Sequence, residues 1–388
     1  MDSFDVTIVG AGLAGLQCAR LLGQSGRRVL LLDRKNSLTR NIHTTGIFVR
    51  RTLTDFDIPE DCLGPAIRDV TLYSPRHRPL ELKSKHDEFR IGRMGRLYTF
   101  LLNRCLLAGV SWLPESSYES CSELGPRTCV NIKAGSQPRS ILTRYLVGGD
   151  GASSRVGHDL QLDTNKEWIV GVENVYEQLH FPGPPRLLCF VDSALAPGYI
   201  GWVAHDGDET HVGVAGYPAK FEPLPALARF TESVKDIVDL TEATLIERRG
   251  GRIPIGGVLR KIANSRGLLI GDAAGAVSPL TAGGLDPCMR LSTFAAQVIN
   301  EFLESGDAEV LDQYSGDYFR TRFASRLWAR RLAAAVNNNT LMELGCAALR
   351  LPVVKKLAAH VFFGRGSFPD APRLPKRAES AVHSVAGT

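Results

Sequence analysis

Three glycines, Gly10, Gly12 and Gly15, stand between a β-branched apolar run and a stretch of helical apolar spacing in FDVTIVGAGLAGLQCARLLGQSGRRVLLLDR, residues 4–34. The pattern reads strand, glycine turn, helix, strand. In that place the glycines free backbone N–H groups and a helix N-terminus to meet a pyrophosphate. Asp33 closes the second strand eighteen residues after Gly15, where its carboxylate can accept both hydroxyls of a ribose. A dinucleotide is therefore the expected ligand, and the spacing does not distinguish NAD from FAD.

Two later segments carry the same kind of chemistry. A strand around 144–148 ends in GGDGASSR, with Asp150 and Gly151 at its tip, and residues 268–291 read LLIGDAAGAVSPLTAGGLDPCMRL. In the second, an apolar strand stops at Gly271 and Asp272, and Asp286-Pro287 reads as an N-cap followed by the first helical residue. The positive end of that helix needs an electronegative partner. Gly283 and Gly284 would let the backbone pass a flat ligand with no Cβ in the way. Cys288, inside the first turn, suits either a dipole-stabilised thiolate or a packed thiol.

The three motifs in this order, GxGxxG at 10–15, GDGASS at 149–154 and GDAAGAVSPLTAGG at 271–284, resemble the flavoprotein superfamily with the para-hydroxybenzoate hydroxylase fold. That superfamily includes aromatic monooxygenases, flavin halogenases and geranylgeranyl reductases, and the resemblance spans roughly residues 4–300. It implies FAD. It also implies a ribityl hydroxyl on Asp272 beside Gly271, the flavin N1 and C2 carbonyl edge at the helix start, and a flavin-side loop at Asp150-Gly151. A plain turn former is the alternative reading of Asp150. Arg34, Arg40 and Arg93 or Arg96 are the candidates for the pyrophosphate and ribityl face, although the spacing around 93 departs from the family's.

PLT before the glycines, and GYIGWVAHDGDETHVGVAG at 198–216, look like geranylgeranyl reductases; hydroxylases usually carry Asn where this chain has Asp286. Tyr199 and Trp202 are thereby candidates for the substrate cavity and, with Cys288, for a catalytic role; both aromatics also suit core packing. The tandem lysine and tryptophan motifs of halogenases are absent. The resemblance implies an FAD-dependent oxidoreductase passing reducing equivalents to a hydrophobic unsaturated substrate. One alternative is a monooxygenase hydroxylating an aromatic or peptidyl substrate through a C4a-hydroperoxide. The other is an accessory or maturation protein that merely holds flavin. With no second nucleotide fold visible, NADPH or NADH would bind transiently, or an electron-donor protein would replace it.

These residues must be positioned by an α/β chain: a Rossmann-like, glutathione-reductase-like FAD domain, an inserted antiparallel sheet for the substrate, and C-terminal helices. The expected boundaries are 1–65, 93–164 and 256–305 for the FAD domain, 66–92 and 165–255 for the substrate domain, 306–366 for the helices, and 367–388 for a disordered tail. The run from Asp307 to Phe363 reads as nearly continuous helix, broken at Asn337–Asn339 and at Pro352. Of 388 residues 44% are hydrophobic and 22% charged, as in a globular domain, and no apolar run is long enough for a membrane span. The eight cysteines form no CxxC pair, so a metal or disulfide framework is not expected, nor is a nucleic-acid partner.

Net charge is +5, unevenly spread: residues 320–377 hold twelve Lys or Arg against Glu343 and Asp370. Arg322, Arg326 and Arg330 recur every four residues, a helical stripe that reads as a solvated face or as a contact for an acidic partner or membrane. Residues 351–363 place Val353, Val354, Leu357, Val361 and Phe362 on one face, as in a core helix or one lying on a bilayer. The expected address is cytoplasmic, with peripheral membrane contact through residues 320–377 as the second possibility.

Overall fold

The computed structural model describes residues 1–179, 181, 183–335 and 338–363; the expected disordered tail at 367–388 lies outside them. β1 (Ser3–Val9) has parallel partners on both sides, Val29–Leu32 (β2) and the long strand Gln137–Gly148. It is central, and helices cover both faces, so its residues Val6–Val9 are all buried rather than alternating. The sheet continues through Gly267–Leu269 on one side and Ser111–Leu113 on the other. Helix α1 (Leu13–Gln24) follows the glycine turn and packs against the long helix Leu285–Ser305. Leu16, Leu22, Phe294 and Val298 are fully buried in the resulting core.

A second sheet has seven strands in the order Thr244–Pro254, Trp168–Glu177, Thr210–Gly216, Gly201–His205, Arg186–Phe190, Asp69–Tyr73 and Pro79–Leu82. The expected antiparallel sheet is thus present, with one exception: Asp69–Tyr73 runs parallel to Arg186–Phe190. Strands at 69–82 and 168–254 therefore share one sheet, although residues 93–164 lie between them; Phe89–Ile91 pairs instead with Ile47–Val49.

The C-terminal region is helical in short pieces: Glu309–Asp312, Gly316–Arg320, Ala324–Ala335, Asn339–Ala348 and Pro352–Phe363. Asn338 caps the fourth through hydrogen bonds from the Thr340 and Leu341 N–H groups. Pro352 begins the last helix instead of breaking one, because a proline costs nothing where the first-turn N–H has no partner anyway. No helix among the described residues is long and apolar enough to cross a membrane.

Candidate functional site

The glycine turn is built by close approach. A Cβ on Gly15 would lie 1.9 Å from the Gly10 carbonyl oxygen, and one on Gly10, at φ +102°, would lie 2.3 Å from that of Gly149. Those two glycines let strand, helix and the 149–154 loop converge. Gly12 differs: a Cβ there would meet nothing within 4 Å. It is also the N-cap of α1, with no side-chain cap and no acidic residue in the first turn. The start of α1 thus has open space at Gly12 and a positive dipole behind it, which fits a pyrophosphate. Asp33 accepts from the Ala11 N–H (2.8 Å) and the Lys35 N–H (2.9 Å), which fixes its carboxylate beside the turn with lone pairs left for a ribose.

Asp150 turns into its own loop. Its carboxylate accepts from the Ser154 hydroxyl (2.6 Å) and the Arg155 and Val156 N–H groups (2.8 and 3.2 Å), while Ser154 caps the helix Arg155–Asp159 through the Gly157 N–H. Burial nevertheless raises its pKa above the usual carboxylate value. Asp150 therefore shapes the loop that carries Gly151 (φ +85°), and its carboxylate is committed to the capping. Asn165, which sequence reasoning missed, staples this loop to the third motif. Its Nδ2 donates to the Ala152 carbonyl (3.0 Å) and the Asp272 carbonyl (2.8 Å). An isolated Asn in a polar stretch carries no signal of that kind.

Asp272 has the opposite character. Its carboxylate accepts no hydrogen bond from the described residues, and burial pushes its pKa up to about 6. Gly284 lies beside it, since a Cβ there would be 3.7 Å from Asp272 Oδ1. Neither Gly283 nor Gly284 needs to be glycine for the protein's own sake: neither has a positive φ, and added Cβ atoms would come no nearer than 3.4 Å to anything. An acceptor lacking a donor among the described residues, two glycines that the protein's own packing does not require and a helix N-terminus thus meet at one place, a combination that fits a flavin's ribityl chain and ring edge.

That helix starts earlier than expected. It spans Leu285–Ser305 with Gly284 as its N-cap, so Asp286 is not the capping residue. Asp286 is instead buried, accepting from the Thr52 hydroxyl (2.9 Å) and from Arg290 Nε (3.0 Å), and Arg290 also reaches Asp55 at 2.6 Å. An i,i+4 partner one turn on pulled the carboxylate inward, leaving the helix end uncapped by any side chain. Cys288 is buried, and burial together with Asp272 pushes its thiol pKa far up, which argues against the thiolate reading.

The arginine candidates divide. Arg34 and Arg40 are exposed and form no ion pair among the described residues, on the segment that follows Asp33. Arg93 pairs with Asp208 (2.8 Å) and donates to the Leu63 carbonyl (2.8 Å), and Arg96 donates to Asp208 as well (2.9 Å). Both tie the helix Met94–Leu107 to a hairpin of the second sheet, and this protein partner replaces the expected phosphate.

Tyr199 and Trp202 lie where the second sheet meets the glycine loop. The Tyr199 hydroxyl donates to the Thr281 carbonyl (2.5 Å), steadying a loop in which Ala282 adopts φ +50°. The Trp202 ring covers Gly213, whose added Cβ would come within 2.3 Å of it, and its Nε1 donates to Glu173 (3.3 Å). Tyr199, Trp202, Tyr217, Ile253 and Ala282 pack together around Ile169, Ala215 and Ile255, an apolar wall.

Beside it is a buried polar network that went unread. Glu173 accepts from the Thr45 hydroxyl (2.6 Å) and faces His211 Nδ1 (3.4 Å) and Arg249 (3.9 Å). Burial alone would raise its pKa, but His211, Thr45 and Arg249 outweigh it and hold the group below its usual value. The only trace in the sequence is a carboxylate following the apolar run IVGV in IVGVENVYE.

Two members of the basic stripe, Arg326 and Arg330, do not form a solvated face; the Arg322 side chain lies outside the described residues. Arg326 Nη1 donates to the Ser278 hydroxyl (2.9 Å), and Arg330 is buried between Tyr199 and Tyr217. The helix Ala324–Ala335 thus clamps the glycine loop with residues expected outside.

Comparison with known proteins agrees with this geometry. The NAD(P)-binding Rossmann-like domain family matches residues 8–55, and the FAD binding domain family matches residues 123–330, more than half of the chain. The digeranylgeranylglycerophospholipid reductase 2 of Methanopyrus kandleri is 25% identical over 91% of this chain and 92% of its own length. The Methanocaldococcus jannaschii digeranylgeranylglycerophospholipid reductase is 22% identical over 81% of each. Among solved structures, a geranylgeranyl bacteriochlorophyll reductase-like protein from Thermoplasma acidophilum superposes with a TM-score of 0.82 at 18% identity, covering 94% of this chain and 97% of that one. The p-nitrophenol 4-monooxygenase of Pseudomonas putida gives 0.70 at 17% identity, covering 93% and 98%. A glycine turn open to a pyrophosphate, an Asp272 carboxylate awaiting a donor and a family match across the loops between them make one consistent set: the chain belongs to the FAD binding domain family, as an FAD-dependent oxidoreductase resembling geranylgeranyl reductases.

Proposed function

We propose that the protein saturates isolated double bonds in the isoprenoid chain of a lipid. The observation that carries this reading is the relationship, over nine-tenths of the chain, to a digeranylgeranylglycerophospholipid reductase. The apolar wall of Tyr199, Trp202, Tyr217, Ile253 and Ala282 supports it, because a hydrocarbon offers nothing to hydrogen-bond and needs only apolar surface beside the reacting ring. Bound FAD would supply a hydride equivalent to the alkene. Gly12 and the start of α1 would hold its pyrophosphate, Asp33 its ribose and Asp272 its ribityl chain. The uncapped start of the helix Leu285–Ser305 would steady negative charge on the reduced ring, on the order of 1 kcal/mol. Arg34 and Arg40, exposed beside Asp33, are free to meet phosphate oxygens. A nicotinamide nucleotide or a small electron-carrier protein would reduce the flavin from outside.

The C-terminal helices would bring the enzyme to its substrate. Trp328, Leu332, Leu344 and Val353 are between 63% and 80% exposed, an apolar surface that suits peripheral contact with a bilayer.

The test is anaerobic incubation of the dithionite-reduced holoprotein with a geranylgeranyl lipid. Mass spectrometry should show two hydrogens gained per double bond. A product that carries an added oxygen atom, formed only in air, would instead establish the monooxygenase alternative, which the likeness to p-nitrophenol 4-monooxygenase keeps in view.

A further inference from the structure

Buried arginines in this protein come in two kinds. Arg249 pairs with Glu247 at 2.7 Å and Glu209 at 3.6 Å, and Arg290 pairs with Asp286 and Asp55. Arg330 is buried to the same degree, 4% exposed, yet it has no carboxylate partner among the described residues. Its Nε donates to the Tyr217 hydroxyl (3.1 Å), and its guanidinium lies 5.2 and 5.0 Å from the ring centres of Tyr199 and Tyr217. Its Nη2 is buried with no hydrogen-bond partner. Arg326, one turn earlier, has the Ser278 hydroxyl and likewise no acidic partner, and burial lowers its pKa with nothing opposing.

A buried guanidinium with an unpartnered Nη2, and a second, half-buried arginine one turn away, suit an anion. The tyrosine rings offset part of the desolvation, but they leave the outer N–H groups of Arg330 unsatisfied. A guanidinium fork matches the tetrahedral oxygens of a phosphate. The place is informative as well. The same Tyr199 that flanks Arg330 donates to Thr281, three residues before Gly284, and belongs to the apolar wall. An anion held here would be the head of a molecule whose hydrocarbon lies along that wall toward the flavin loop.

We infer that Arg326 and Arg330 are the seat of a phosphate group on the isoprenoid substrate. The substrate part rests on the reductase reading; the need for an anion rests on the buried, unpartnered Nη2 of Arg330 alone.

The test measures binding without turnover. The oxidised FAD holoprotein is titrated anaerobically with geranylgeranyl phosphate and with geranylgeraniol, following the flavin absorbance, for the native protein and for Arg326→Gln, Arg330→Gln and Arg330→Lys. The phosphate ester should bind about tenfold or more tightly than the alcohol. Arg330→Gln should abolish that preference, Arg326→Gln should reduce it, and Arg330→Lys should keep part of it as a point charge without the fork. If Arg330→Gln does not fold, the half-buried Arg326→Gln and the conservative lysine variant still decide. Equal affinity for ester and alcohol, or a preference unchanged in the variants, overturns the inference. Inorganic phosphate competing as strongly as the ester overturns the substrate assignment in favour of a free ion. Because reduction is scored separately, an arginine-dependent phosphate preference without any saturated product would refute the reductase reading and leave the seat standing.

Discussion

In its proposed ribityl role, Asp272 would couple cofactor binding to pH. Its pKa in the fold is raised from 3.8 to about 6, so between about pH 4 and 6 the folded chain holds a proton that the unfolded chain has released. In the apoprotein this group therefore makes the fold less stable as pH rises through that window. A ribityl hydroxyl donating to it favours the charged form, so FAD binding releases a proton below about pH 6. Fluorescence titration of apoprotein should show FAD affinity rising from about pH 5 to about pH 7 and then levelling, and Asp272→Asn should be flat and weaker by ~1 to 3 kcal/mol. A native profile as flat as the variant's would remove Asp272 from the ribityl site. The glycines separate on the same scale. Gly12→Val places its side chain in open space at an ordinary φ of −72°, so the apoprotein should melt near the native temperature yet emerge colourless. Gly15→Ala collides with the Gly10 carbonyl at 1.9 Å and should fail to fold. A yellow Gly12→Val protein would disprove the pyrophosphate assignment.

Among the elements, Asn165 joins two motifs that are each only a loop. Asn165→Ala removes both donations, at about 0.5 to 1.5 kcal/mol each, and should speed FAD release after stopped-flow dilution followed by flavin fluorescence, while leaving the secondary structure seen by circular dichroism unchanged. Unchanged release would mean the loops hold their relation without it. This joint also shows what a sequence can carry. GxGxxG and Asp33 were legible because a βαβ unit is local: the glycines, the helix start and the acidic residue all fall within residues 10–33. The arginine stripe was legible as a stripe and misread as to its direction, since which face of a helix points inward is set by what lies opposite. Tyr199, Tyr217 and Ser278 are more than forty residues away in the chain. Asp286 was misread for a smaller reason: a short polar residue before proline suits a cap, and Arg290 and Thr52 outbid the helix end for its carboxylate.

At the scale of the whole molecule, the outward surface of the C-terminal helices carries exposed apolar side chains beside the exposed cations Arg331, Arg350 and Lys356, while Arg330 is buried. Binding to vesicles should therefore persist in part on neutral lipid and strengthen on anionic lipid at low salt. Replacing Trp328, Leu332 and Leu344 by Ser should cut co-sedimentation sharply, at roughly 1 to 2 kcal/mol per side chain inserted. No binding by the native protein, or no change in the triple variant, would refute membrane contact through this surface. A last consequence follows from strand order. Gly267–Leu269 completes the flank of Gln137–Gly148, and the loop bearing Asp272 leaves directly from it. During synthesis the glycine turn leaves the ribosome more than two hundred residues ahead of Asp272. If both hold FAD as proposed, tight loading waits for the second, and nascent chains stalled ahead of residue 264 should hold flavin far more weakly than the full chain.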